Sequence, residues 1–136
     1  MTSRQQKRII HTKNAPNPLG HYSQAVPGDG LLFTAGQLGI NPVTNQLAGD
    51  TVEIQTRQAL NNLKAIFTAA GASLDDVVKT TVFLDDMADF PLMNAIYCEF
   101  FPKDPPARTT VGVRIGQGAL VEIEMTAIRQ PETSNK

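Results

Sequence analysis

The chain has 136 residues, 12 lysines and arginines against 13 aspartates and glutamates, a formal net charge of −1, and one cysteine. That length suits one domain over residues 1–136, and 41% hydrophobic with 18% charged residues describes a globular protein, not a disordered or fibrous one. The balanced charge excludes the electrostatic footprint of a dedicated nucleic-acid binder, and Cys98 alone excludes an intrachain disulfide framework.

In chain order, the ends come first. Residues 1–7 and 129–136 are polar and read as tails, and the start lacks the apolar core of a secretory signal. No apolar run approaches the roughly 20 residues that span a bilayer, so a soluble protein of the cytoplasm is expected. Residues 8–12 are a short strand candidate. Residues 14–20 read as loop, because Pro16 and Pro18 remove backbone donors and fix φ. A hairpin is expected from strands over 22–26 and 31–37 around the turn residues 27–30, and 41–46 is a further turn.

The first helix is marked by Val52, Ala59, Leu60, Leu63, Ile66, Phe67 and Ala70, which line one face. Asp50 with Glu53 resembles a capping box, and Gly71 stands where a C′ glycine belongs. Residues 77–84 are a β-branched strand. The second helix starts near Asp86, carries Phe90, Met93, Tyr97, Phe100 and Phe101 on one side, and is stopped by Pro102 and Pro105. Strands follow over 109–115 and 119–128; in the last, Val121, Ile123, Met125 and Ala127 alternate with Leu120, Glu122, Glu124 and Thr126. This order predicts an α+β fold, a mixed sheet with two helices on one face.

The sequence contains none of the nucleophile-elbow, zincin, dinucleotide-fingerprint or phosphate-loop patterns. His11, His21 and Cys98 are too scattered for a structural zinc site. What remains is polar residues at awkward places. Arg108, after Pro105-Pro-Ala107, projects from a rigid segment and suits a two-point grip on a carboxylate. A surface or salt-bridged arginine is the commoner outcome of such spacing. Glu122 and Glu124 share one strand face, about 6.6 Å apart along the chain, which is loose for direct coupling. Acid–base work and a solvated strand face both fit them, and the second is the commoner. Tyr22 is either a hydrogen-bonding residue over a site or a half-buried aromatic, and Asn94 lies beside the apolar stripe of the second helix, where a buried, satisfied amide would also fit. Cys98 reads most simply as a small hydrophobe.

Several segments, taken in order, carry a resemblance. They are Gly20-His-Tyr-Ser-Gln-Ala25, Thr34-Ala-Gly-Gln-Leu-Gly39 with Asn41-Pro42, Gln58-Ala-Leu-Asn-Asn-Leu-Lys64, and Ala70-Gly71. Then come Val77-Val-Lys-Thr-Thr-Val-Phe-Leu84, Asp89-Phe90, Asn94 with Tyr97, Phe100-Phe101, Pro106-Ala-Arg-Thr109 and Val121-Glu-Ile-Glu124. The chain resembles the reactive intermediate deaminase family (Rid, also called YjgF), and especially its RidA branch.

That resemblance implies a chorismate-mutase-like α+β fold with a six-stranded mixed sheet, and homotrimers with a pocket at each subunit interface. It also implies hydrolysis of 2-imino acids, such as 2-iminobutanoate and 2-iminopropanoate, to 2-oxo acids and ammonia, without metal or organic cofactor. By position, Arg108 matches the arginine that binds the substrate carboxylate, and Glu122 matches the glutamate that activates water. Tyr22 and Asn94 match pocket-lining residues, and the backbone around Gly36 and Thr110 matches ligand-contacting groups. Two departures bear on substrate preference: the family's usual serine is Ala35 here, and its Gly-Pro-Tyr is Gly20-His21-Tyr22. Alternatives are a 2-oxo acid-binding module without turnover, a related deaminase of different substrate, and an RNA-directed activity, which the net charge of −1 disfavours.

Overall fold

A computed structural model describes residues 7–129; the expected polar tails lie outside it except for Lys7 and Arg129. Arg129 is not loose, since its backbone N–H donates to Gly30 O at 2.8 Å. The expected strand over 8–12 is reduced to one bridge, Ile10 with Ala25. The prolines that follow prevent a continuing ladder.

The hairpin forms from β1 (Ala25–Gly28) and β2 (Leu31–Thr34), with only Asp29 and Gly30 as its loop, both at positive φ (53° and 79°). An Asp-Gly pair with two left-handed residues matches the right-handed twist of the flanking strands, so the strands run closer to the tip than expected. Pro27 is tolerated within β1 because β1 is an edge strand.

The expected strand over 31–37 is interrupted. β2 pairs with β8 (Val121–Ile128) through Phe33 and Thr126, and β3 (Gln37–Leu38) resumes the pairing at Gln37 and Ile123. Residues 34–36 therefore stand opposite only 124–125. This β-bulge is stabilised by the Met125 N–H, which donates to Thr34 Oγ1 at 3.0 Å. β4 (Ile40–Asn41) and β5 (Gln46–Leu47) form a small separate hairpin around the expected turn.

Helix α1 (Val52–Ala69) is capped by Thr51 rather than Asp50: its side chain accepts the Ile54 N–H at 3.2 Å. At the other end, Gly71 adopts φ 76°, its N–H bonds to Thr68 O and that of Ala72 to Phe67 O, a complete Schellman closure. A 3₁₀ turn capped by Asp86 precedes α2 (Phe90–Phe100), so the regular helix starts later than the sequence pattern suggests. Cys98 is exposed on α2, not buried as a small hydrophobe.

Strand β6 (Val77–Leu84) lies at the centre, antiparallel to β8 and parallel to β7 (Ala107–Gly112). Among the described residues the large sheet has six strands, in the order β1-β2-β8-β6-β7 with β3 also on β8. β7 begins and ends earlier than expected, at Ala107 and Gly112, and β8 begins at Val121. The core lies between sheet and helices: Val121, Ile123, Met125 and Ala127 from β8, and Thr80, Val82 and Leu84 from β6, meet Leu60, Leu63, Ile66, Phe67, Met93 and Tyr97. Among the described residues, the opposite sheet face has no covering layer. It presents Phe33, Val111 and Ile128, each more than a third exposed, together with Glu122 and Glu124.

Candidate functional site

Two register pairs decide where the expected residues fall. On β6, Thr80 pairs with Arg108 of β7 and Phe83 pairs with Glu122 of β8. Thr80 and Phe83 are three positions apart, so their side chains point to opposite faces. Thr80 is buried against α2, where its hydroxyl meets the Tyr97 hydroxyl at 2.8 Å. Arg108 therefore lies on the helix side and Glu122 on the open side. Each is accompanied by its own expected neighbours, so the candidate residues of one chain fall into two separate groups, one around Arg108 and one around Glu122, called half-sites below.

The arginine half-site is built by β7 and α2. Phe90, Asn94 and Tyr97 recur at steps of four and three, which puts them on one face of α2. The Arg108 Nη1 donates to Asn94 Oδ1 at 2.8 Å, and its guanidinium carbon lies 4.6 Å from the Tyr97 ring centre and 5.2 Å from that of Phe90. Aromatic faces orient a guanidinium while binding its weakly hydrated plane, an attraction worth about 0.5–2 kcal/mol per ring. Among the described residues, the rest of the fork has no hydrogen-bond partner, so it is free to accept a carboxylate edge-on. Burial pushes the Tyr97 hydroxyl above the ordinary tyrosine range, against the opposing pull of the Thr80 hydrogen bond and the Arg108 charge. Thr110 is two residues along β7 from Arg108 and half-buried. Phe90 and Tyr97 read in the sequence as core stripe only; their spacing with Asn94 was the available signal for a cation platform.

The glutamate half-site is built by β8, the bulge at 34–36 and the loop before β1. Glu122 lies in a cleft of about 70 Å³ with Pro16, Leu19, Tyr22, Gly36, Leu38 and Ile40 among its walls. The Tyr22 hydroxyl accepts the Leu19 N–H at 3.0 Å, which leaves its own proton available to donate. The bulge brings the Gly36 backbone against Glu122: a Cβ there would stand 2.9 Å from the carboxyl carbon. Burial raises the Glu122 carboxyl above the ordinary glutamate range, and the negative charge of Glu124 on the same face acts in the same direction. Ala35 lies at the bulge, with its N–H donating to Gln24 O at 2.9 Å. His21 is exposed in the loop before Tyr22. The structure thus brings Tyr22 and Gly36 to Glu122, with Ala35 beside Gly36 in the bulge, and Asn94 to Arg108, with Thr110 two residues along β7. It does not bring Arg108 to Glu122.

Among the described residues no group of three or more His, Cys, Asp or Glu is arranged to hold a metal ion, and no helix is long and apolar enough to cross a membrane.

Comparison with known proteins gives a consistent set of relatives. Residues 12–129 match the family described as Endoribonuclease L-PSP. A RutC family protein of Pyrococcus horikoshii is 48% identical over 125 residues, covering 91% of this chain and 99% of that protein. The 2-iminobutanoate/2-iminopropanoate deaminase of Dermatophagoides farinae is 42% identical over 123 residues, covering 90% of this chain and 96% of that protein. The crystal structure of E. coli TdcF with bound serine superposes with a TM-score of 0.85 at 39% identity, covering 90% of this chain and 99% of that one. The chain belongs to the RidA/YjgF family, the group matched as Endoribonuclease L-PSP, which includes imine deaminases.

Proposed function

We propose that the protein hydrolyses 2-imino acids to 2-oxo acids and ammonia, in pockets where the Arg108 half-site of one chain meets the Glu122 half-site of another within a homotrimer. The observation that carries this reading is the fixed guanidinium: Arg108 is held by Asn94 over two aromatic rings, with the rest of its fork unpaired among the described residues. The bare sheet face beside Glu122 supports the assembly, because monomeric proteins rarely leave such an apolar patch open. The bound serine named for TdcF is a small amino acid, which fits a carboxylate-gripping site.

The chemistry needs little more. A bidentate grip on the substrate carboxylate fixes the position of the adjacent C=N carbon. Water adds to that carbon while Glu122 takes one of its protons, giving a carbinolamine. The Glu122 carboxyl then returns the proton to the amino nitrogen. The C–N bond breaks with its electron pair on nitrogen, the hydroxyl proton is shed as C=O forms, and a protonated imine plus water becomes a 2-oxo acid plus ammonium. A raised carboxyl pKa suits a group that must act first as base and then as acid. In this reading the Tyr22 hydroxyl, which accepts the Leu19 N–H and keeps its own proton to donate, orients the attacking water.

A direct test couples a threonine dehydratase, which releases 2-iminobutanoate, to the purified protein and follows 2-oxobutanoate. Formation well above spontaneous hydrolysis is expected. Binding of 2-oxobutanoate without any acceleration would instead make the protein a carboxylate-binding module.

A further inference from the structure

Two side chains in the sequence segments above have no part in this chemistry, yet are among the most buried polar groups: Gln24 and Asn62, each 1% exposed. The Gln24 Oε1 accepts the Thr12 N–H at 2.7 Å, and its Nε2 faces three carbonyls, those of Thr12 (3.1 Å), Ala15 (3.3 Å) and Pro16 (2.8 Å). On α1, the Asn62 Nδ2 donates to Leu38 O (3.2 Å) and Ile40 O (2.9 Å), while its Oδ1 accepts from Gln58 Nε2 (2.8 Å). Each carboxamide has carbonyls around its nitrogen and a donor at its oxygen, so only one orientation satisfies it.

Three of these bonds end on backbone that lines the Glu122 cleft. Pro16 belongs to its loop wall, and Leu38 and Ile40 to the wall made by β3 and β4. Residues 11–23 contain no helix or ladder strand, so the carbonyls of Ala15 and Pro16 rely on a side chain for a partner. The backbone carbonyl of Gln24 also holds the Ala35 N–H, next to Gly36, and so ties the loop wall to the bulge.

We infer that Gln24 and Asn62 are positioning residues of this site: their carboxamides hold the two backbone walls of the Glu122 cleft at a fixed separation and so limit the water that reaches the carboxylate. The inference rests on the proposed role of Glu122. Three titratable groups lie on the same side of the sheet among the described residues, two of them beside Glu122 and Lys79 four residues along β6 from its partner Phe83. Glu124 lies on the same strand face, Tyr22 on the loop wall, and Lys79 on β6 with its Nζ directed to Thr109 Oγ1 at 2.7 Å. Arg108 of a neighbouring chain joins them in the proposed trimer. Neutral replacements, Gln24→Met and Asn62→Leu, release a wall without adding charge to this set.

The test reads the Glu122 titration directly, by carbon-13 NMR of its carboxyl in each variant, beside kcat and KM in the coupled assay. The expected result is a midpoint that falls toward the ordinary glutamate value of about 4.3, with the acid limb of the rate profile moving down with it. The same loosening lowers kcat by about 10–100-fold and leaves KM nearly unchanged, because Arg108 still holds the carboxylate. A folded variant with unchanged midpoint and kcat overturns the inference. If the replacements prevent folding, the unaltered protein decides. The Thr12 amide, held only by the Gln24 side chain, must then exchange as slowly as the central strands, and exchange at open-loop rates overturns the clamp. An unaltered protein without deaminase activity would remove the role of Glu122, whereas the midpoint shift would still establish the clamp.

Discussion

Gly36 offers the sharpest separation of activity from stability. A Cβ added there stands 3.0 Å from Cγ and 2.9 Å from Cδ of Glu122, where carbon–carbon contacts ordinarily settle at about 3.5–4.0 Å. Gly36→Ala therefore drives the carboxyl back by about 0.5–1 Å, or into another rotamer. The atoms displaced are the far end of a flexible side chain at a half-open cleft, so the cost to folding should stay below about 1 kcal/mol. Catalysis depends on position far more steeply. A misplacement of about 1 Å costs on the order of 100-fold, or about 2.7 kcal/mol of barrier. Gly39→Ala is the control, since its Cβ would lie 2.5 Å from Gln55 O and 2.6 Å from Gln55 Cα, backbone that cannot retreat. Overpacking of that kind costs about 1–3 kcal/mol or more of stability. The assay is paired: thermal unfolding for both variants, and kcat for 2-iminobutanoate in the coupled reaction. Gly36→Ala should unfold close to the unaltered protein and turn over about 100-fold more slowly, while Gly39→Ala should unfold markedly earlier. Undiminished kcat in a stable Gly36→Ala protein would refute the placement of Glu122 as the reacting base.

Other perturbations follow from the same geometry. Arg108→Lys keeps the charge but loses the planar fork and its fit over Phe90 and Tyr97, so kcat/KM should collapse while circular dichroism stays unaltered. Glu122→Gln is nearly isosteric and should slow turnover by about 10²–10⁴-fold while 2-oxobutanoate binding, read by calorimetry, persists. Glu124→Gln removes one cause of the raised Glu122 pKa. A base works only when deprotonated, so lowering its pKa should move the acid limb of the kcat profile to lower pH; a limb that stays in place would detach it from Glu122.

Much of the fold is legible in the sequence because burial there is periodic. The alternation of Val121, Ile123, Met125 and Ala127 marks the core side of β8, and the stripe from Val52 to Ala70 marks the core side of α1. Boundaries are less legible because local hydrogen bonds decide them. Thr51 outcompetes Asp50 as the cap, and an extra residue at 34–36 breaks a strand that reads as continuous. The candidate residues can be named from the sequence, but their arrangement cannot. That Arg108 and Glu122 face opposite ways follows from the pairing of β6 with β7 and β8, long-range registers that no spacing along the chain encodes. Likewise Gln24 and Asn62 read as ordinary polar positions until their bonds to distant carbonyls are known.

The split between the half-sites can be tested by mixing two disabled chains. Arg108→Lys and Glu122→Gln proteins are each dissociated, combined in equal amounts and reassembled, with exchange of subunits verified by native mass spectrometry. If each pocket takes Arg108 from one chain and Glu122 from its neighbour, random assembly makes about a quarter of the pockets whole, and activity should rise from near zero toward about a quarter of the unaltered level. Mixed trimers that remain as inactive as their parents would contradict a site shared between chains.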